Sequence, residues 1–139
     1  MAQLVDLSQW LESLPDKLQP TQGELAMAAT KQIERIKSRT STGIGVDGQP
    51  FADYAPATKK SPPVDLFKSG QMLGSITQES TDTEAHIFFA DPDGEQKARY
   101  HKSGTSKMPK RDFFGVSLAD REEIVSDIRE QIFNRVKNG

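Results

Sequence analysis

Apolar residues recur at helical spacing at both ends of the chain and alternate at strand spacing in the middle, and a stretch without any period separates the two patterns. Leu4, Leu7, Trp10 or Leu11, and Leu14 lie three or four residues apart, which predicts a helix over residues 4–14 that Pro15 ends. Thr21 and Glu24 have the spacing of a capping box, so a second helix should run over residues 21–39. Its inward stripe is Leu25, Ala28 or Ala29, Ile33 and Ile36, with Lys31, Glu34, Arg35 and Lys37 on the wet side. Residues 40–63 carry seven Gly and Pro and no period, which makes a loop longer than the usual connection. Phe51 and Tyr54 are aromatic anchors within it, so the expectation is an ordered arm rather than a floppy linker.

Past a short apolar turn or helix at Leu66, Phe67, Met72 and Leu73, the pattern predicts an antiparallel β-meander over residues 75–102. Its strands are 75–80, 84–90 and 97–102, with turns at 81–83 and at Asp91-Pro92-Asp93-Gly94. In the middle strand Ala85, Ile87 and Phe89 alternate with Glu84, His86 and Phe88, giving one dry face and one mixed face. A loop over residues 103–116 follows. Ser117 and Asp120 then start a helix over residues 117–136, with Leu118, Ile124, Val125, Ile128, Ile132 and Val136 at helical spacing. Acids at its start (Asp120, Glu122, Glu123) and bases at its end (Arg135, Lys137) match the helix dipole. The fold class expected is α+β: a single domain in which an antiparallel meander packs against N-terminal and C-terminal helices, with a long ordered loop between them.

Composition changes this picture mainly by exclusion. The 139 residues contain no cysteine, which removes disulfides, thiolate metal sites and cysteine nucleophiles together. A net charge of −2 is too neutral for a domain whose main task is gripping nucleic acid. No apolar run approaches a membrane span, and the first residues lack a signal-peptide layout, so neither membrane insertion nor secretion is expected. The two histidines, His86 and His101, are not arranged as metal ligands, and no nucleophile elbow, phosphate loop or dinucleotide fingerprint occurs. The expectation is a protein that is not an enzyme and holds no cofactor and no metal.

Charge is distributed unevenly within that near-neutral total. Lys97, Arg99, Lys102, Lys107, Lys110 and Arg111 crowd a stretch without an acid other than Asp112 that follows them, whereas Glu79, Asp82, Glu84, Asp91, Asp93 and Glu95 occupy the stretch just before it. The basic segment could hold phosphates, dock on an acidic neighbour, or simply be solvated. If it docks, the acidic segment of another copy supplies the complement, and a head-to-tail contact of that kind closes into a ring. The Phe113-Phe114-Gly115 patch beyond it, with Pro109, reads as the buried seat of the last helix.

Several elements occur in an order that is similar to the virion-morphogenesis and tail-completion proteins of tailed bacteriophages. They are Asp47-Gly48, Pro50 and Phe51 followed by Thr58; Leu66, Ser69, Gly70, Met72, Ser75 and Ile76; Ala98, His101 and Gly104; and Pro109, Arg111, Phe113, Phe114 and Gly115 before a closing helix. Phe51 stands where the family favours tryptophan, and Gln71 where a basic residue is common. The resemblance implies a non-enzymatic virion subunit related to head–tail connector, neck and tail terminator proteins, assembled in the host cytoplasm. It implies a homo-oligomeric ring, hexameric or dodecameric, that contacts other neck, connector or tail-tube proteins while DNA passes through its lumen without specific binding. The competing reading is a nucleic-acid-binding accessory protein that touches packaged DNA through residues 97–111.

Overall fold

The computed structural model describes residues 2–4, 7–53, 66 and 70–138. Tyr54, Thr58 and the rest of the central loop to residue 63, together with Phe67 and Ser69, lie outside the described residues. In chain order the elements are β1 (Ala2–Leu4), α1 (Ser8–Glu12), a 3-10 turn (Asp16–Leu18), α2 (Gln22–Ser41), α3 (Gln71–Gly74), β2 (Ile76–Ser80), β3 (Ala85–Phe89), α4 (Pro92–Ser103) and α5 (Leu118–Asn138). This is an α+β fold with an antiparallel sheet and N-terminal and C-terminal helices, in which α2 packs on the sheet and on α5. Among the described residues no helix is long and apolar enough to cross a membrane.

The sheet has the order β1-β3-β2. The β2–β3 hairpin is the expected one, with Ile76 opposite Phe89 and Ser80 opposite Ala85. Its third strand is not residues 97–102. It is β1, which places Ala2 opposite Phe88 and Leu4 opposite His86 on the other edge of β3. The predicted helix over residues 4–14 therefore shortens to α1, because the open edge of β3 offers the N-terminal residues a ladder that a marginal three-turn helix cannot match.

Residues 97–102 belong to α4 instead, and the chemistry that hides this in the sequence is the Asp91-Pro92-Asp93-Gly94 run. Those four residue types suit a hairpin turn, but here Asp91 is an N-cap that accepts from the Asp93 N–H, and Pro92 takes the first helical position, where its missing N–H is not needed. Gly94 lets α4 lie against α3: a Cβ there would come 2.5 Å from Ser75 Oγ. The helix ends at Gly104, whose φ of 74° and close approach to Lys110 N and Met108 O leave no room for a side chain.

The central element is α2. Its start is the expected capping box, with Thr21 Oγ1 accepting from the Glu24 N–H and Glu24 Oε1 accepting from the Thr21 N–H. One side, Ala29, Ile33 and Ile36, packs into a cluster with Phe51, Met72, Ile76, Ile87, Phe89, Ala98, Phe113 and Phe114. The other side, Leu25 and Ala28, packs with Leu7 and with Ile124, Val125, Ile128 and Ile132 of α5. The dry face of β3 is Ile87 and Phe89, while His86 and Phe88 on the mixed face are half-buried.

Helix α5 starts as its sequence indicates. The Ser117 N–H donates to Asp120 Oδ2 and the Asp120 N–H to Ser117 Oγ. Two of its six apolar positions face outward, however: Leu118 is 84% exposed and Val136 54% exposed. The inward place in the first turn goes to the Asp120 carboxylate, which has donors waiting for it on α2.

Phe113 and Phe114 are fully buried and pack against Phe89, the first edge to face and the second tilted, with ring centroids 6.3 and 4.7 Å away. Replacing either with alanine is expected to lower the unfolding free energy by about 3–5 kcal/mol, read from urea denaturation. Leu118→Ala, at an exposed position, should change it by no more than about 0.5 kcal/mol. Equal losses at all three positions would contradict the burial described above.

Candidate interface and the loop joint behind it

Three of the four elements that carry the resemblance meet in space. Arg111 is only 4% exposed, and its guanidinium donates from Nε to the Ala52 carbonyl at 2.9 Å and from Nη2 to the Asp53 carbonyl at 2.8 Å. The Arg111 N–H donates to the His101 carbonyl, and the Val46 N–H to the Asp112 carbonyl. Lys102 Nζ donates to the Phe114 carbonyl at 2.8 Å. Gly115 is buried, and a Cβ there would come 3.3 Å from the Val46 side chain. The turn around Asp47–Phe51, the end of α4 and the 109–115 segment thus form one joint, held by backbone groups that side chains from the other segments satisfy.

This placement corrects part of the charge reading. Arg111 faces its own chain, because its planar guanidinium donates to two carbonyls of the central loop, so it is not available to a neighbour. Pro109, expected as an anchor, is exposed; the anchoring in this segment comes from Arg111, Phe113, Phe114 and Gly115. Phe51 is buried in the main core, whereas Tyr54 is outside the described residues.

The remaining charges separate into local groups. Lys97 Nζ lies 2.5 Å from Gln71 Oε1, and Gln71 Nε2 donates to Asp91. Arg99 pairs with Glu95 one turn earlier on α4, at 2.6 Å. Lys102 sits near Asp112 as well as on the Phe114 carbonyl. The acidic stretch is not one surface: β3 runs between Glu79, Asp82 and Glu84 at the hairpin end and Asp91, Asp93 and Glu95 at the start of α4. Glu84 is 3.1 Å from His86. Lys107 lies in the short loop that a Thr105–Met108 bridge closes and Lys110 just beyond it, and both are exposed. Those two lysines, with Glu79 and Asp82 at the hairpin end and Asp93 at the start of α4, are exposed and form none of the pairs described above.

A second polar system, between α2 and α5, is not visible in the spacing of either helix. Arg39 Nη1 and Gln32 Nε2 both donate to Asp120 Oδ2, at 2.7 and 3.1 Å, and both also reach the Gly115 carbonyl. Burial by itself would raise the Asp120 carboxyl, but the hydrogen bonds from Arg39, the Ser117 N–H and Gln32 outweigh it and hold the group below its ordinary value. Arg35 pairs with Glu123 and Asp127, and Arg135 with Glu24, so ion pairs follow the antiparallel helices along their length. Spacing within each helix shows which side is polar, not which acid on one helix meets which base on another.

His86 and His101 lie on different elements, and among the described residues no three His, Asp or Glu side chains are grouped to hold a metal ion. His101 is half-buried inside the joint, and its Nδ1 is buried without a hydrogen-bond partner. Comparison with protein families, with curated proteins and with solved structures gives no match.

Burial, and after it the neighbouring Arg111 charge, lower the His101 pKa from 6.5 to about 4. The folded joint thus keeps the imidazole neutral at a pH where the unfolded chain would protonate it. The stability this contributes is fully present above pH 6.5 and is lost as pH falls from there through about 4. Denaturant titrations across that window should show a decline for the native chain and a flatter profile for His101→Gln. Identical slopes would show that His101 does not carry the decline in this window; the contribution of Asp120, held below its ordinary value, is lost only at lower pH.

Proposed function

We propose that this chain is a structural subunit of a tailed-bacteriophage virion that forms a ring at the head–tail junction or the tail end. It acts as a tail-completion, connector or neck protein, assembled in the host cytoplasm and retained in the virion. The observation that carries the reading is the joint. Residues from three separate elements of the resemblance, Asp47–Phe51, Ala98–Gly104 and Pro109–Gly115, converge on one packed unit, so their order along the chain has a common structural reason. A rigid joint leaves a well-positioned loop at Lys107 and Lys110 for a neighbouring copy, whose hairpin end presents Glu79 and Asp82. The near-neutral net charge suits a lumen that DNA crosses without sticking.

The test is complementation. Lysates from a genome lacking this gene should contain filled heads and separate tails, and adding the purified protein should restore infectious particles. Charge reversal at Lys107 and Lys110 should weaken assembly without lowering the melting temperature, and the defect should resemble that of the unaltered protein in high salt. Joined virions in the absence of the gene, or a block before heads fill with DNA, would overturn the assignment and favour contact with packaged DNA.

A further inference from the structure

The outward face of α5 is self-complementary, and we infer that it pairs two copies of this chain through antiparallel packing of their α5 helices. Leu118, Glu122, Ser126, Arg129 and Phe133 follow one another at three- or four-residue steps, so they lie along one side of the helix, and all five are exposed. Two of the protein's most exposed large apolar side chains are at the ends of this row: Leu118, 84% exposed, and Phe133, 65% exposed. Read from its start, the row is apolar, acidic, small, basic, apolar. If a second α5 runs antiparallel and crosses the first between Val125 and Ser126, Leu118 of one copy faces Phe133 of the other and Glu122 faces Arg129, each contact occurring twice. Parallel packing would instead oppose like charge to like.

Two observations show how the ends of this contact fill. Beside Phe133, residues Trp10, Leu14, Leu18, Ile132 and Val136 line an apolar groove of about 230 Å³ on the protein surface. Leu118 of the second copy lies opposite this groove in the antiparallel arrangement. The Arg129 guanidinium is held over the Trp10 ring, 5.5 Å from its centroid, and the Glu122 side chain has no ion pair or hydrogen bond within the described residues. An acid without a partner and a base already fixed in position thus face each other across the proposed axis. The small Ser126 at the centre lets the backbones approach.

This contact does not rest on the ring reading, since a two-fold interface pairs copies whereas ring closure needs a head-to-tail one. Sedimentation velocity of the full chain over a range of concentrations tests it. A two-copy species is expected, or, if rings form, a particle of two stacked rings. Glu122→Arg alone and Arg129→Glu alone should each weaken pairing at least tenfold, and the two changes combined should restore it. Ser126→Cys, in a chain with no other cysteine, should be joined to its counterpart by a short thiol cross-linker, whereas a cysteine at the exposed Ser103 should not. Circular dichroism melts check that each variant stays folded. Single-copy protein at every concentration, reversals without effect, or a double variant as weak as the singles would overturn the pairing. A single ring unaffected by Glu122→Arg would refute it while leaving the ring reading intact, and pairs with no larger species would do the reverse.

Discussion

One carboxylate oxygen fixes how the two long helices and the last loop meet. Asp120 Oδ2 accepts from Gln32 and Arg39 of α2 and from the Ser117 N–H at the start of its own helix. The same two α2 side chains reach the Gly115 carbonyl, which immediately follows the buried Phe113-Phe114 pair. Gln32 is almost completely buried, so each of these groups would be costly if its partner were absent. An apolar contact between α2 and α5 could slide by a turn with little penalty, but a charge-assisted network of this kind has one satisfied register. That register aligns Arg35 with Glu123 and Asp127, and Arg135 with Glu24, further along the pair.

From this fixed point the rest of the layering follows. Because α5 covers one side of α2, the other side must be covered by the sheet, and Ala29, Ile33 and Ile36 meet Ile76, Ile87 and Phe89 there. The Phe pair fills the end of that core, and the 109–115 segment that delivers it has to cross the turn after α2. Arg111 ties the crossing down by donating to the Ala52 and Asp53 carbonyls just past that turn. A basic residue in a basic-rich stretch is thus used for folding, and the same holds in weaker form for Lys102 on the Phe114 carbonyl. What remains for partners is smaller than the sequence suggested but better defined in position.

The sequence was most legible where a local rule and the global fold agree. The capping boxes at Thr21 and Ser117, the β2–β3 hairpin and the dry face of β3 all follow from spacing alone, because the same residues that favour each element locally also bury it. It was least legible where two local readings fit the same residues. Asp91-Pro92-Asp93-Gly94 suits both a turn and a helix start, and what decides between them is the packing of Gly94 against Ser75, a contact between segments that periodicity does not register. Leu4 likewise fits either a helix or a strand, and the open edge of β3 decides. For the interface, charge counts along the chain could not distinguish Arg111, turned inward, from Lys107 and Lys110, turned outward, since that depends on which side chain the fold brings against the Ala52 and Asp53 carbonyls.

The outward charges and the outward apolar residues then separate into two regions. Lys107 and Lys110 belong to the loop after α4, and Glu79 and Asp82 to the hairpin end of the sheet; these are different places on one chain, so joining them between copies is head-to-tail by construction. The α5 row is different in kind, because its acid and base stand at equal distances from the middle of one helix and so meet their complements only in a two-fold arrangement. Such contacts do not compete, since neither uses a residue of the other. A chain with both can close in one direction and pair in another, which is the geometry that stacked rings require. The thin hydrophobic content of the sequence, 35% of residues, is consistent with a subunit that leaves Leu118 and Phe133 outside its own core.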